Sequence, residues 1–484
     1  MIHSFAYAKD KIGELGQVVA VRNSIVWVDG LAGAALGEAV SFDDERNGIV
    51  MGLQADRVEV AVFSSQPLRV GQQVARTGES LRVSVGDEIV GSVIDALGYT
   101  VAGGKDLSAN SAPREVFTQA QSIANRQIIE DFFTTGTILV DLLNPLGKGQ
   151  RELVLGDRQV GKTYYTLRTI ITQAKMGVVC VIALIGKQKK EIRRVVETLQ
   201  QAGVSERCVV VVADAQSSLG EIYVAPYTAM AVAEHFRDHG QETLVVLDDL
   251  TTHASFYREM ALLTNRFPGR DSYPGDIFYV HASLLERAGN FMVGKKAVAI
   301  TCLPVAELNS GDMTGYIQTN LMSMTDGHIY FDHELFLKGR RPAVNMFLSI
   351  TRVGRQTQTP LMRDVEVQIM SVMQQAEHLQ RFLRFGAEVT EHARETLDLV
   401  EALWQLFAQD DYRSYPIEIQ LLLLACAFEG RADLRSHVEL DKYLHNAKVL
   451  SKARDLVKQS KTLRQLIDNS KTFRQQLYAV ASDH

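Results

Sequence analysis

The sequence has few of the features that hold a protein together by disulfides or metal clusters, or that anchor it in a membrane. Its four cysteines are scattered along 484 residues and form no C-x-x-C pair, which argues against a disulfide or metal framework and fits a reducing compartment. The longest apolar runs, at residues 178–185 and 421–428, have eight residues each, whereas a transmembrane helix needs about 20. The N-terminus does not have the basic start and following apolar stretch of a signal peptide, which argues against one. We therefore expect membrane contact only through partner subunits.

An excess of basic residues is also missing. The chain has 51 Lys and Arg against 57 Asp and Glu, a formal net charge of −6, and its pI is about 6.1. Nucleic-acid binders usually have a basic excess, so we expect no nucleic-acid partner. The hydrophobic fraction of 46% is that of an ordinary folded protein, and the length leaves room for roughly three domains of about 150 residues each.

Three regions with different patterns follow one another along the chain. Short alternating β segments broken by glycine occur in residues 1–83 and predict a small N-terminal β-barrel or sandwich. In residues 84–363, apolar runs alternate with helical stretches, which predicts an α/β domain with a parallel sheet covered on both faces. Residues 364–484 have apolar positions at helical spacing and predict a C-terminal α-helical domain.

The central region contains a motif with a specific chemistry. The stretch GDRQVGKT matches the G-x-x-x-x-G-K-[ST] phosphate-binding loop, and it lies between an apolar strand pattern and an amphipathic helix pattern. Its backbone N–H groups and the helix N-terminus would surround phosphates. Lys162 would reach the β and γ phosphates, and Thr163 would bind Mg²⁺. The predicted loop consists of Gly156, Asp157, Arg158, Gln159, Val160, Gly161, Lys162 and Thr163.

A second motif supplies the other predicted ligand of Mg²⁺. The apolar stretch TLVVLDD ends in Asp248, which would place a carboxylate at the C-terminal edge of the sheet, where α/β folds bind their ligands. Asp248 would hold Mg²⁺ directly or through water. The loop and this carboxylate together predict that the chain binds a nucleoside triphosphate with Mg²⁺.

Hydrolysis also requires a carboxylate that positions the attacking water. In nucleotide-driven machines of this type, that group commonly ends the strand after the loop's helix. Here the strand pattern VVCVIALIG is followed by Lys187, and a lysine is a cation at neutral pH. Glu191 lies four residues further on and is expected to lie in the next helix, turned away. We therefore expect this chain to bind the nucleotide without efficient turnover.

Longer stretches of the sequence resemble the α subunit of F-type ATP synthases. The resemblance runs from about Gly16 to beyond Tyr412 and is carried by GQRELVLGDRQVGKT, APYTAMAVAEHFRD, PGRDSYPGDIFYVHASLLERAG, SGDMTGYIQTNLMSMTDGHIYFDHELFLKGRRPAVN and SITRVG. It implies an N-terminal β-barrel, a RecA-like nucleotide domain and a C-terminal helical domain. It also implies a subunit that binds Mg-ATP without hydrolysing it.

The resemblance further implies an assembly and a location. Three copies would alternate with catalytic β subunits in an α₃β₃ ring around a central γ shaft, and δ and b subunits would form a peripheral stalk. Such a machine makes ATP from ADP and phosphate with a transmembrane proton or sodium gradient. The ring would lie at the cytoplasmic face of the cell membrane as a peripheral complex.

Roles near the nucleotide base follow from the same resemblance. Phe336 and Arg341 match a ring and a guanidinium near the adenine, and Gln409 matches a glutamine that approaches the base from the C-terminal domain. Asp411 stands where a second glutamine is usual, which leaves base discrimination open.

Roles in the chemistry of the neighbouring subunit also follow from it. Arg352, in LSITRVG, matches the arginine finger that enters the catalytic site of the adjacent β subunit. Ser349 lies in the same activity-sensitive segment, and Ser323 matches a serine near that interface. Thr351 replaces the usual serine beside Arg352, and Arg355 follows where the family has small residues, so the identity of the active arginine stays open.

Other functions remain open at the level of the sequence. About 15 residues precede the first barrel strand, whereas the family has a longer N-terminal helix that ties α to the peripheral stalk. A synthase with an altered stalk attachment, an F-type-like ATPase not coupled to synthesis, or a scaffold subunit of a related ring would each fit this departure. A homohexameric secretion or Rho-like ATPase needs its own catalytic carboxylate, which Lys187 argues against.

Overall fold

The computed structural model describes residues 4–103, 111–384, 390–409, 411–429 and 447–479. Contacts divide the chain into two compact units. The first unit consists of residues 1–128, 148–158 and 173–326, and the second of residues 129–147, 159–172 and 327–484. The predicted phosphate-binding loop is divided between the units: its residues up to Arg158 belong to the first unit, and those from Gln159 onwards belong to the second.

The strands of the described residues are β1 (Leu15–Arg22), β2 (Ile25–Asp29), β3 (Glu38–Phe42), β4 (Asn47–Leu53), β5 (Val58–Val62), β6 (Gln73–Ser80), β7 (Arg82–Val85), β8 (Ser92–Asp95), β9 (Thr100–Gly103), β10 (Ala112–Glu115), β11 (Phe132–Phe133), β12 (Leu146–Gly147), β13 (Glu152–Gly156), β14 (Val179–Lys187), β15 (Cys208–Asp214), β16 (Thr243–Asp248), β17 (Gly289–Val293), β18 (Lys296–Glu307), β19 (Gly327–Phe331) and β20 (Ile350–Thr351).

The α-helices of the same residues are α1 (Phe5–Ile12), α2 (Ile138–Leu143), α3 (Lys162–Lys175), α4 (Lys189–Gln201), α5 (Leu219–Asp238), α6 (Leu250–Leu263), α7 (Ile277–Leu285), α8 (Tyr316–Met324), α9 (His333–Leu337), α10 (Pro360–Arg384), α11 (Glu391–Phe407), α12 (Ile417–Phe428), α13 (Ala447–Gln459) and α14 (Leu463–Ala479).

The N-terminal strands form a closed antiparallel barrel in the order β1-β2-β5-β4-β3-β6, and β6 pairs back with β1. Alternate residues of these strands fill its interior, because successive side chains of a strand point to opposite faces. The interior is apolar and includes the fully buried Val26, Phe42, Val60 and Val74. The predicted barrel is therefore confirmed, and the sandwich alternative is wrong.

The rest of the first unit is built on a sheet in the order β13-β18-β16-β14-β15-β8-β9. The pairs from β13 to β8 are parallel, and β9 and β17 join as antiparallel strands. Helix α5 packs on β14, β15 and β16, while α6 packs on β14 and β18. The apolar runs ELVL, VVCVIALI, CVVVVADA, TLVVLDD and AVAITCL correspond to strands β13, β14, β15, β16 and β18, so the predicted parallel α/β sheet is confirmed.

Parallel pairing places four strand ends together at one edge of this sheet. Gly156 of β13 lies opposite Glu307 of β18, and Leu184, near the end of β14, lies opposite Asp248 of β16. Because carboxyl ends of parallel strands meet at the same edge, this edge is where such a fold binds its ligands. The predicted nucleotide residues of the first unit lie here.

The second unit contains two short hairpins, β11–β12 and β19–β20, and the C-terminal helices. Helix α10 packs against α11, and α12 packs against α13 and α14. Helix α12 is buried on nearly every side from 419 to 427, which explains why its sequence is a continuous apolar run instead of an amphipathic one. The predicted helical C-terminal region is confirmed. Among the helices that the described ranges contain, none is long and apolar enough to cross a membrane.

Candidate nucleotide site

The first half of the predicted loop lies at the sheet edge of the first unit. Gly156 is the last residue of β13, and the next residue, Asp157, accepts a hydrogen bond at Oδ1 from the backbone N–H of Gly311 (2.8 Å). Arg158 donates from Nε to Oε2 of Glu307 at 2.7 Å, and 80% of its side chain remains exposed. The Arg158 guanidinium is therefore held at one end while most of it faces solvent.

The second half of the loop belongs to the second unit and has the backbone of an anion-binding turn. Gln159 and Gly161 have left-handed backbones, with φ of 63° and 103°. Alternation of left- and right-handed residues turns successive N–H groups towards one side, as in phosphate-binding nests. Helix α3 begins at Lys162, and Thr163 is exposed in its first turn. The local backbone therefore agrees with the phosphate-binding motif.

The end of β14, where we expect a hydrolysing chain to have a carboxylate, carries an ammonium group. Lys187 Nζ lies 2.8 Å from Oδ1 of Asp248 and 2.9 Å from Oδ2 of Asp249. The two aspartate side chains are only 4% and 1% exposed, and the lysine side chain is 17% exposed. Burial alone lowers the pKa of Lys187, but the two carboxylates outweigh it and raise that pKa. Lys187 is therefore protonated and cannot act as a general base.

The other carboxylates at this edge are engaged as well. Glu191 lies in the first turn of α4, where its Oε2 accepts from the backbone N–H of Gln188 in a capping box. Glu307, at the end of β18, accepts from Arg158. Asp214, at the end of β15, accepts at Oδ1 from the backbone N–H of Gln216 (2.8 Å). Glu191 thus lies in the helix where the sequence pattern places it.

Asp249 and Glu307 are two carboxylates at this sheet edge that the sequence analysis did not predict as site residues. Asp249 is the N-cap of α6, and its Oδ1 accepts from the backbone N–H of Thr252 at 2.6 Å. The pattern Asp-x-x-Thr before a helix is an available cap signal. Glu307 carries a weaker signal, an acidic residue at the end of an apolar strand run.

The two residues predicted to lie near the base are close together in the second unit. The Arg341 guanidinium carbon is 3.6 Å from the centre of the Phe336 ring, and Nη1 of Arg341 donates to the Phe336 carbonyl at 2.8 Å. Stacking of this kind fixes a planar cation over a ring and favours further planar partners. The structure therefore brings this predicted pair together.

Gln409 has a different environment from the one that its predicted role suggests. Its Oε1 accepts from the backbone N–H of Ile138 at 2.9 Å, and its Nε2 donates to the carbonyl oxygens of Gly136 and Arg413. The side chain is buried and joins α2 to the segment after α11. In this structure its amide thus has a structural role, and its contact with a base stays a prediction.

Arg168 is a buried cation that the sequence reasoning did not single out. It is 1% exposed, and its Nη2 donates to the carbonyl oxygens of Gln409 and Asp411. Its guanidinium also lies over the Tyr164 ring, which stacks on Tyr412 at 4.4 Å between ring centres. Arg168 therefore fixes the segment that contains Asp411, the residue that departs from the family pattern.

Both arginines of the predicted finger segment are exposed. Arg352 follows β20, and Arg355, with 66% of its side chain exposed, donates to Oε1 of Glu366 at 2.5 Å. Ser349 is buried, where its Oγ accepts from the backbone N–H of Tyr330 and donates to the carbonyl of Asn345. Which of the two arginines acts as the finger therefore stays a prediction.

Ser323, the third residue predicted for this role, lies in the other unit. It is exposed on α8, and its Oγ donates to the carbonyl of Asn320 at 2.7 Å. This contact lies within α8 and says nothing about a subunit interface, so the part of Ser323 in such an interface stays a prediction.

A phosphate-binding loop between a buried parallel strand and a helix, with Asp248 at the end of another strand of the same sheet, defines the class of P-loop nucleotide-binding proteins. Residues 136–351 match the model of the ATP synthase alpha/beta family, nucleotide-binding domain. The chain belongs to the ATP synthase alpha/beta family.

Its curated relatives extend the similarity beyond that domain. ATP synthase subunit alpha of Neorickettsia sennetsu is 38% identical over 430 residues, which cover 87% of this chain and 84% of the relative. ATP synthase subunit alpha 1 of Paraburkholderia xenovorans is 39% identical over 421 residues, 87% and 82% of the two chains. The Helicobacter pylori subunit alpha is 35% identical over 438 residues, 90% and 87% of the two chains. The similarity thus extends over most of both chains.

Proposed function

We propose that this chain is the non-catalytic, nucleotide-binding α subunit of an F-type rotary ATP synthase. It binds ATP at the loop from Gly156 to Thr163 and supplies Arg352 to the catalytic site of an adjacent β subunit. The α₃β₃ ring surrounds a γ shaft, is tied to δ and b subunits, and lies at the cytoplasmic face of the cell membrane. A transmembrane proton or sodium gradient drives its synthesis of ATP.

The observation that carries the non-catalytic part is the position of Lys187. General-base catalysis requires a group that accepts a proton from water at neutral pH. The ammonium at the end of β14 cannot do so, and Asp248 and Asp249, the nearest carboxylates, are paired with it at 2.8 and 2.9 Å. Glu307 is engaged by Arg158. The purified full chain should therefore bind ATP and release almost no phosphate.

The residues present fit only part of the Mg²⁺ site that the sequence predicts. Thr163 is exposed in the first turn of α3 and can present its hydroxyl to an ion that arrives with ATP. Asp248 does not fit as a direct ligand, because its Oδ1 lies against Lys187 Nζ. A divalent ion bound there would lie beside a positive charge. We therefore assign Mg²⁺ to the phosphates and Thr163.

The role of Arg352 is tested in the assembled ring. An arginine finger neutralises charge on the transferring phosphoryl group and contributes about 10³–10⁵ in rate. Arg352→Ala should lower ATP hydrolysis by a factor in this range, while nucleotide binding by the variant chain stays unchanged. Steady-state hydrolysis by the reconstituted ring measures the first quantity, and equilibrium binding of a fluorescent ATP analogue measures the second.

Arg355→Ala is the matched control, since it removes the same group three residues away. Its guanidinium is paired with Glu366, and we expect the ring with this variant to retain most of its hydrolysis. The reverse result, loss with Arg355→Ala and retention with Arg352→Ala, would assign the finger to Arg355. Rapid turnover by the lone chain would favour a homohexameric ATPase. Recovery of a ring without stalk and membrane subunits would favour an ATPase that is not coupled to synthesis, or a scaffold.

A further inference from the structure

Lys187, Asp248 and Asp249 form a compact cluster of charges, which we call the internal ion cluster. Two buried carboxylates share one ammonium group, with Nζ–O distances of 2.8 and 2.9 Å. Asp249 also accepts from both the backbone N–H and the hydroxyl of Thr252, at 2.6 and 3.0 Å. The position between two carboxylates is the one that a divalent cation takes in many nucleotide sites. Here an amino group occupies it.

The fold holds the lysine in this position. The pairing of β14 with β15 has an irregular register between Ile185 and Lys187. Gly186 in that irregularity has φ of 65°, and a Cβ there would lie 2.7 Å from the Thr252 methyl carbon. The backbone of β14 thus passes close to α6 as it ends. The Lys187 side chain therefore lies beside Asp248, at the end of β16, and Asp249, the N-cap of α6.

An ammonium group and a divalent cation compete for such a position. Both neutralise carboxylates, but the ammonium is covalently part of the chain. Its positive charge therefore stays at the site when metal is removed from solution. A divalent ion would have to displace Lys187 Nζ or bind next to its charge, and like charges at short distance in a partly buried site repel strongly. In this chain the Lys187 ammonium therefore neutralises carboxylate charge at Asp248 and Asp249 without a bound metal ion.

We propose that Lys187 takes the place of the divalent cation at Asp248 and Asp249, so that this chain binds ATP with little dependence on Mg²⁺. The proposal rests on the proposed nucleotide-binding function and deepens it. An ordinary P-loop site loses much of its affinity without the metal, because the ion neutralises the phosphates and the strand-end carboxylate together. In this chain the strand-end carboxylate is already neutralised, and the phosphates bind a site with one fewer uncompensated negative charge.

The test compares ATP binding by the full chain in buffer with Mg²⁺ and in buffer with EDTA. For the wild type we expect dissociation constants that differ by less than about tenfold. Lys187→Gln removes the ammonium between the two carboxylates, and the affinity of this variant for ATP in EDTA should fall by about a hundredfold relative to Mg²⁺. Lys187→Arg keeps the charge and should behave like the wild type. Lys189→Gln removes a charge from an exposed neighbour and should also leave the Mg²⁺ dependence unchanged.

A second measurement needs no nucleotide. Electron paramagnetic resonance of Mn²⁺ with the full chain should show no binding to the wild type and binding to Lys187→Gln, which a further Asp248→Asn change removes. A wild-type chain that binds ATP only with Mg²⁺, or that binds Mn²⁺ as well as Lys187→Gln does, would overturn the proposal and leave the nucleotide-binding function intact. A chain that binds no ATP in either buffer would overturn the proposed function, while the Mn²⁺ comparison would still decide the role of Lys187.

Discussion

Acidification should destabilise the first unit, because two histidines are buried there in their neutral form. His253 of α6 donates from Nε2 to the carbonyl of Tyr223 (3.0 Å), since a carbonyl can only accept. Its Nδ1 therefore carries the lone pair and accepts from Nε2 of His281 at 3.2 Å. Burial lowers the pKa of His253 to about 4, and it also lowers the pKa of His281 well below its ordinary value.

The direction and size of the effect follow from these shifts. The unfolded chain takes up protons at its imidazoles from about pH 6.5 downwards, whereas folded His253 does so only near pH 4. The free energy of unfolding thus falls as the pH drops through this window. Between pH 7.5 and 5, His253 alone accounts for about 2 kcal/mol, and His281 adds to the loss in the same direction.

Urea titrations at pH 7.5 and 5 measure this difference. A Trp404→Phe background leaves Trp27, which lies in the first unit, as the sole tryptophan reporter. In that background, His253→Gln keeps a donor for Tyr223 and an acceptor for His281 but cannot be protonated. It should lose about 2 kcal/mol less than the wild type on acidification.

The exposed His239, at the end of α5 in the same unit, provides the control. His239→Gln should lose as much stability on acidification as the wild type does. If His253→Gln and the wild type were equally sensitive to pH, the reasoning from buried imidazoles would be wrong.

Two further predictions concern contacts in the two units. Glu234→Gln removes the charge that pairs with Arg287, whose side chain is 1% exposed with N–O distances of 3.0 and 2.7 Å, and it should destabilise the first unit by about 3–5 kcal/mol. Glu242→Gln is the control, because Glu242 pairs with Lys148 at 2.8 Å in a partly exposed position, and it should cost less than about 1 kcal/mol in the same urea titration. Gly354→Ala would place a Cβ 1.6 Å from the Pro145 carbonyl oxygen, so it should displace the finger segment and lower hydrolysis by the assembled ring; full hydrolysis by that ring would show that the backbone adapts without cost.

Much of the fold was open to prediction because its signals are local. An apolar run bounded by turn residues predicts a buried strand, and this pattern predicts β14, β15 and β16. Lys187 at the end of β14 was equally visible, since strand ends follow from the same pattern. The closed barrel needed the tertiary structure, because short alternating strands are compatible with either a barrel or a sandwich until their pairing is known.

The candidate site was predictable only in part. The phosphate-binding loop is a contiguous motif, so its residues and the left-handed backbone at Gln159 and Gly161 agree with one short stretch of sequence. The environment of Gln409 depends on Gly136 and Ile138, more than 270 residues away. The burial of Arg168 likewise depends on the distant segment at Asp411. No local pattern reports such contacts.

The sequence by itself determined that a cation, and not a carboxylate, ends the strand after the loop's helix. Only the tertiary structure decided which groups that cation contacts. Residues 187 and 248 are far apart in the chain, and they meet because β14 and β16 are parallel neighbours whose carboxyl ends share one edge. Strand order is a property of the whole sheet, since it depends on which faces the helices cover and which strands pair. The pairing of Lys187 with Asp248 and Asp249 therefore exists only in the folded chain.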